Sequence, residues 1–315
     1  MPLLPFALSL LLTTAAPATP PADSIALHRY TAGAVSYDVN AFWLESPQGV
    51  VLIDALFLGS DAKLLAGAIR ASGKPLVAIL LTHPHVDHFG GVTALRREFP
   101  GARLYATAAT AREIQVTHDR GIEAGWLGAM APDYGGPVTP DSLVAPGTTL
   151  TLAGIQFRIE DLGAAEAANN SVIAVPALNA LFTGDLTVAH APVYIGEGHV
   201  DQLLTALDRL AAMFPDSITA YSGHYAAMPL GQVVRDNRAQ VRQVVGLVER
   251  AFGDKASQGP DGALRRTAVR PLVQAVAALY QPLATYGLDP ATMAQMNIPG
   301  VMQARGFRVA PAGGQ

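Results

Sequence analysis

His83, His85, Asp87 and His88 fall within the six-residue run His83-Pro84-His85-Val86-Asp87-His88. One tight loop can turn three imidazoles and a carboxylate in such a run toward a common point, and that is a donor set divalent metals take. The bland alternative is a polar loop with accidental histidines. Against it, three of the chain's eight histidines sit here, and Gly90 and Gly91 directly behind let the backbone bend sharply. The chain has no cysteine, which excludes disulfides, thiolate metal sites and cysteine nucleophiles together, so any metal is held by nitrogen and oxygen. No Gly-x-Ser-x-Gly elbow and no Walker-type phosphate loop competes for the chemistry.

The surrounding segments must position this run. Apolar stretches at 25–30, 35–39, 41–45 and 50–53 predict consecutive antiparallel strands. Residues 61–71 carry Leu64, Leu65, Ala68 and Ile69 at helical spacing and stop at Gly73 and Pro75, which predicts a covering helix. An apolar strand at 77–81 leads into the histidines and a helix at 91–99 follows, so the donors occupy a strand-to-helix loop. A strand at 103–106 and a helix at 108–117 complete the first half. The Gly- and Pro-rich stretch 121–147 predicts a long substrate-facing loop. The second half repeats the alternation, with strands at 149–152, 155–161, 171–175, 180–183 and 218–221 and a helix at 200–213. Two sheet-rich halves with outer helices predict an αββα sandwich of the α/β class. From Leu230 onward the pattern is helical, with Val234, Val241, Val244, Val245 and Val248 on one face. That face either packs on its own domain or is shared between two chains as a homodimer.

With 315 residues, half of them hydrophobic and 15% charged, the chain suits a globular protein. A net charge of −4 and a pI near 6.0 offer no basic surface for nucleic acid, so a small-molecule substrate fits better. Residues 1–18 hold no charged side chain, an apolar run at 3–12 and the small-residue end Ala16-Pro17-Ala18, the pattern of a signal peptide. Pro2, Pro5, Pro17, Pro20 and Pro21 count against a buried helix there. Export to the periplasm or beyond is therefore expected, without a stable membrane anchor, because no stretch is apolar over the roughly 18 residues a span needs. The expected divisions are a signal peptide and Pro-rich junction at 1–20, a catalytic domain at 24–252 and a helical C-terminal tail at 253–315.

The histidine run matches in full the His-x-His-x-Asp-His signature of the metallo-β-lactamase superfamily, which this sequence resembles over residues 32–225. Further matches are Val51-Leu52-Ile53-Asp54, Phe182-Thr183-Gly184-Asp185 and Ser222-Gly223-His224. The resemblance implies the same αββα sandwich and two metals, with Asp185 bridging them and His224 completing the second site. One departure stands out. The family places a third histidine of the first site after a glycine, and here Gly163 is followed by Ala164. Either the carboxylate of Glu166, two residues on, supplies the donor or the site has lost a ligand; Asn169 and Asn170 are weaker candidates, since amide oxygens bind zinc poorly.

The resemblance thus implies the ligands His83, His85, Asp87, His88, Glu166, Asp185 and His224 around two divalent ions. Zinc is the first choice, and the charge of Glu166 would favour manganese or iron. Asp54 is placed to take the second N–H of a ligand histidine, or is a plain strand-end carboxylate. His28, His118, His190 and His199 are expected in packing or surface roles. Tyr194, Trp126, Met130 and Tyr134 are expected in the pocket wall or in packing. The implied activity is a hydrolase whose metal-bound hydroxide, oriented by Asp87, attacks the carbonyl of a β-lactam, lactone or other ester. The alternative, motivated by Ala164, is a degenerate metal- or ligand-binding protein without turnover.

Overall fold

In the computed structural model, which describes residues 21, 24–130 and 133–310, the strand-rich halves form two six-stranded sheets. The expected signal peptide lies outside the described residues. The first sheet contains β1 (Ala26–Thr31), β2 (Asn40–Ser46), β3 (Gly49–Ile53), β4 (Leu76–Leu80), β5 (Arg103–Thr107) and β6 (Ser142–Val144), adjacent in chain order. The strands β1 to β3 run as an antiparallel meander, and β3 to β6 pair in parallel. The second contains β7 (Thr149–Leu152), β8 (Ile155–Gly163), β9 (Asn170–Val175), β10 (Ala180–Gly184), β11 (Thr219–Ser222) and β12 (Met228–Pro229), again adjacent in chain order, with β10 and β11 parallel.

Period-two alternation explains the stacking of these sheets. In β3, Val51 and Ile53 point inward to meet Phe157, Ile173 and Phe182 of the second sheet. Val50 and Leu52 point outward, among Leu65 and Ile69 of α1 (Gly59–Ala71) and Leu95 of α3 (Val92–Glu98). A strand covered on both faces reads as a continuous apolar run, and each such side chain contributes about 1.5–3 kcal/mol by its burial. Between α1 and α3 along the chain lies the short α2 (Val86–Phe89); α4 (Ala108–Glu123) and α5 (Trp126–Met130) complete the first outer layer.

The opposite layer holds α6 (Val200–Met213), α7 (Leu230–Gly253), α8 (Arg266–Tyr280) and α9 (Pro290–Arg305). Helix α9 starts where the Asp289 side chain accepts from the backbone N–H groups of Ala291 and Thr292, with Pro290 in the first turn. Val241, Val244, Val245 and Val248 of α7 are buried in one cluster with Leu272, Val276, Met293 and Val301. The valine face is therefore covered within the chain, and residues of the C-terminal segment share a core with the second sheet. Among the described residues, no helix is long and apolar enough to cross a membrane.

Two segments depart from the pattern expected of them. Residues 35–39 are not a strand: a turn at Ala34–Ser36 is followed by Tyr37 and Asp38 at φ 57° and 56°, left-handed conformations that bend the chain away from β1. Part of 121–147 is ordered as α5 and β6. The latter is held by its parallel pairing with β5, a distant register that local pattern does not display.

Candidate metal centre

The chemistry-bearing residues collect at one edge of the sandwich because they lie just beyond strand ends. Asp54 follows β3, the histidine run follows β4 and enters α2, Asp185 follows β10 and His224 follows β11; Glu166 lies on the turn between β8 and β9. Among the described residues two four-membered donor groups result, His83, His85, Glu166 and Asp185 in one and Asp87, His88, Asp185 and His224 in the other, with a smaller group of Asp54, His83 and His88 behind them, the donor atoms of each lying within 4.8 Å of one another. Asp185 is common to both of the larger groups. Its Oδ2 lies 3.2 Å from His224 Nε2 and 3.9 Å from His83 Nε2, and its Oδ1 lies 3.4 Å from His88 Nε2. Asp87 Oδ2 is 3.4 Å from His224 Nε2. All seven residues singled out in the sequence are thereby brought together.

Glu166, two residues after Ala164, faces two of the imidazoles. Its Oε1 is 3.2 Å from His85 Nδ1 and its Oε2 is 3.8 Å from His83 Nε2. Asn169 Oδ1 is engaged elsewhere, accepting from the Thr107 and Thr110 hydroxyls, while Asn170 Nδ2 donates to the Ala167 carbonyl. His28 stacks on Trp43, and His118 stacks on Tyr134. Neither of these histidines, nor His190 or His199, belongs to the donor groups.

Each of the four imidazoles is held by its far nitrogen, which leaves the near nitrogen facing the centre. His88 Nδ1 donates to Asp54 Oδ2 at 2.9 Å, and Asp54 also accepts from the Thr82 backbone N–H and hydroxyl. With its proton given to Asp54, the Thr82 oxygen accepts from His83 Nδ1 at 3.0 Å. His224 Nδ1 donates to the Tyr37 carbonyl at 2.8 Å, which is what the left-handed turn there achieves. His85 Nε2 lies 3.2 Å from Glu197 Oε1. Gly223 is required by close approach: a Cβ there would lie 2.1 Å from Asp185 Oδ1.

Glu197 was not legible in the sequence beyond its position between Gly196 and Gly198. Its loop, between β10 and α6, is gripped from the C-terminal helices by side-chain amides. Asn237 pairs with both the N–H and the carbonyl of Val188; Gln240 spans Val193 N–H and Ala191 carbonyl; Asn297 spans Ile195 N–H and Val193 carbonyl. Gly300 lets α9 press against this loop, since a Cβ there would lie 1.8 Å from the Ile195 carbonyl. Tyr286, between α8 and α9, donates to the Pro192 carbonyl and sets its ring edge-on to His224, 4.8 Å away between centroids.

Four buried atoms among the described residues, His83 Nε2, His88 Nε2, Glu166 Oε2 and Asp185 Oδ1, point into the centre without a hydrogen bond of good geometry. Orphaned polar atoms of this kind are costly, and divalent cations would satisfy all four at once. Protonation tells the same story. Burial opposes charge on His85, His88 and His224, yet the facing carboxylates outweigh it and raise all three, His224 up to about 10. Burial also works against ionised Asp87 and Asp185, but the neighbouring imidazoles hold both well below the usual carboxylate range. Glu166 is pushed up by burial to about 7, with His85 acting in the opposite direction.

The metal-free centre thus carries protons where metal would bind. Chelator-stripped protein titrated with zinc in weak buffer near pH 7 is expected to release protons, followed with an indicator dye. Since burial is outweighed by the facing carboxylates and the imidazoles hold their protons above neutrality, apparent affinity should climb as pH rises from 7. A titration without proton release would contradict this.

A sandwich of this layering, with an imidazole and carboxylate cluster at its strand ends, is a framework able to hold metal ions. The chain belongs to the metallo-beta-lactamase superfamily, whose family model matches residues 36–224. It is 26% identical over 196 residues to metallo-beta-lactamase IND-1 of Chryseobacterium indologenes, covering 61% of this chain and 74% of that one. It is 30% identical over 191 residues to the hydroxyacylglutathione hydrolase of Xanthomonas campestris pv. campestris (strain B100), covering 60% of this chain; the match spans only 62% of that enzyme's length. Among solved structures, a metallo-beta-lactamase family protein from Thermus thermophilus superposes with a TM-score of 0.65 at 19% identity, over 90% of this chain and 94% of the other. TTHA1623, solved in a di-iron-bound form, gives a TM-score of 0.52 at 23% identity, over 67% and 98%. At these identities the structural likeness shows the fold.

Proposed function

We propose that the chain is an exported hydrolase that holds two divalent ions, zinc first, and cleaves a carbonyl bond of a small β-lactam, lactone or other ester. The observation that carries this reading is the pair of donor groups sharing Asp185. His83, His85 and Glu166 would hold one ion, Asp87, His88 and His224 the other, and Asp185 both. Ions so held polarise a carbonyl oxygen and make a water acidic near neutral pH. Asp87, kept ionised by His88 and His224 against the penalty of burial, accepts a hydrogen from the attacking water and orients it. His85, Asp87 and Asp185 retain side-chain exposures of 16%, 13% and 14%, so substrate approaches on their side.

The binding-protein alternative rested on Ala164, and the position of Glu166 against His83 and His85 takes away that motive. Elemental analysis of protein purified without chelators tests the reading. Two ions per chain are expected, falling toward one in Glu166→Ala and in His224→Ala, together with turnover of at least one ester, lactone or β-lactam. A protein with both ions and no turnover would favour binding; one ion or none would sink the binuclear centre.

A further inference from the structure

We propose that this centre acts on uncharged carboxylic esters or lactones with an apolar flank, and discriminates against substrates that carry a carboxylate near the scissile bond. The inference rests on the hydrolase reading above and narrows it.

The first ground is charge. Asp54, Asp87, Glu166, Asp185 and Glu197 place five carboxylates in the centre and against its imidazoles. Among the described residues, the one Lys or Arg ion-paired to any of them is Arg120, and its Nη1 is taken by Glu197 Oε1 at 3.3 Å. Two divalent ions bring four positive charges; with Arg120 they cancel the five carboxylates. A histidine in place of Glu166 would make the site one charge more positive, which favours an anion in a low-dielectric site. The carboxylate of Glu166 supplies negative charge instead, and among the described residues Arg120 is the one Lys or Arg ion-paired to any of the five. A substrate carboxylate brought here would lose water without gaining a partner, which is strongly unfavourable.

The second ground is the wall. Tyr194 lies 6.0 Å from His85 between ring centroids, and Tyr286 lies 4.8 Å from His224. Tyr194 and Tyr286, from separate segments, thus flank two of the imidazoles with apolar rings and neutral hydroxyls, a surface suited to an alkyl or aryl group.

A matched pair of esters tests this: 4-nitrophenyl valerate, and mono-4-nitrophenyl glutarate, in which the terminal methyl becomes a carboxylate. In both, water adds across the acyl C–O bond to give a carboxylic acid and 4-nitrophenol, read by absorbance and corrected for each spontaneous rate. The zinc-loaded protein should favour the valerate in kcat/KM by about 30-fold or more, the effect of a poorly compensated carboxylate. Glu197→Gln, which releases Arg120, should slow both esters but narrow the ratio. Equal rates, or a preference for the glutarate, would overturn the inference and leave the hydrolase reading standing. Failure to hydrolyse either ester with both ions bound would overturn the ester-hydrolase reading itself.

Discussion

Asp185→Asn is expected to empty the centre of most of its metal and to lower ester turnover by about 10³-fold, which corresponds to ~4 kcal/mol of barrier. The two oxygens of Asp185 face three imidazole nitrogens, His83 Nε2, His88 Nε2 and His224 Nε2, within 3.9 Å. An amide keeps one oxygen but loses the charge, and it turns an N–H toward nitrogens whose lone pairs are needed for metal. The amide is nearly isosteric, so the crowding at Gly223 is unchanged and the fold should survive. The check is metal content by elemental analysis beside kcat on 4-nitrophenyl valerate, with a thermal melt of the metal-free variant. Full occupancy with near-normal kcat would show that Asp185 is not the shared anchor.

Asp54→Ala should have the second largest effect, and it should register in stability as well as in metal affinity. Asp54 is 3% exposed and accepts from the Thr82 N–H, the Thr82 hydroxyl and His88 Nδ1. Its removal strands three buried donors beneath the centre, a loss of about 3–5 kcal/mol for a broken buried pair. Alanine is also strained at the left-handed φ of 57° adopted here. The loss of orientation at His88 should weaken metal binding by about 10–100-fold. Asp54→Asn separates the two consequences. It tolerates the backbone and retains one acceptor for the Thr82 N–H, so urea unfolding should show most of the stability returned while zinc affinity stays low. Equal recovery of both would mean that Asp54 acts on the fold alone.

Much of this centre was legible in sequence because its donors lie in short runs: four in the histidine run, and Asp185 and His224 in strand-end motifs. Strand and helix periodicity likewise predicted the layers, since β8 alternates between apolar and polar, β3 is covered on both faces and α6 buries Val200, Leu203, Leu207 and Leu210 at helical spacing. What escaped notice depends on distance. Glu197 reaches His85 from 112 positions away, with no local signal but flanking glycines. Tyr37 contributes a backbone carbonyl to His224, which no side-chain pattern encodes. Residues 35–39 had the composition of a strand, but two left-handed residues turn them into the bend that delivers that carbonyl. The tail after residue 253 read as a helical appendage, whereas Tyr286 and Asn297 of that segment line and brace the centre.

The grip of Asn237, Gln240 and Asn297 on the loop after β10 falls on main-chain atoms. That choice separates the path of the loop from the identity of its side chains. A position such as Tyr194 can be exchanged by mutation without loosening the bracing amides, so the wall beside His85 is open to redesign or divergence in specificity. An insertion of one residue between Val188 and Ile195 has the opposite effect. It puts the rungs out of register with their amides, and Glu197 no longer arrives opposite His85. The loop is tolerant in spelling and strict in length.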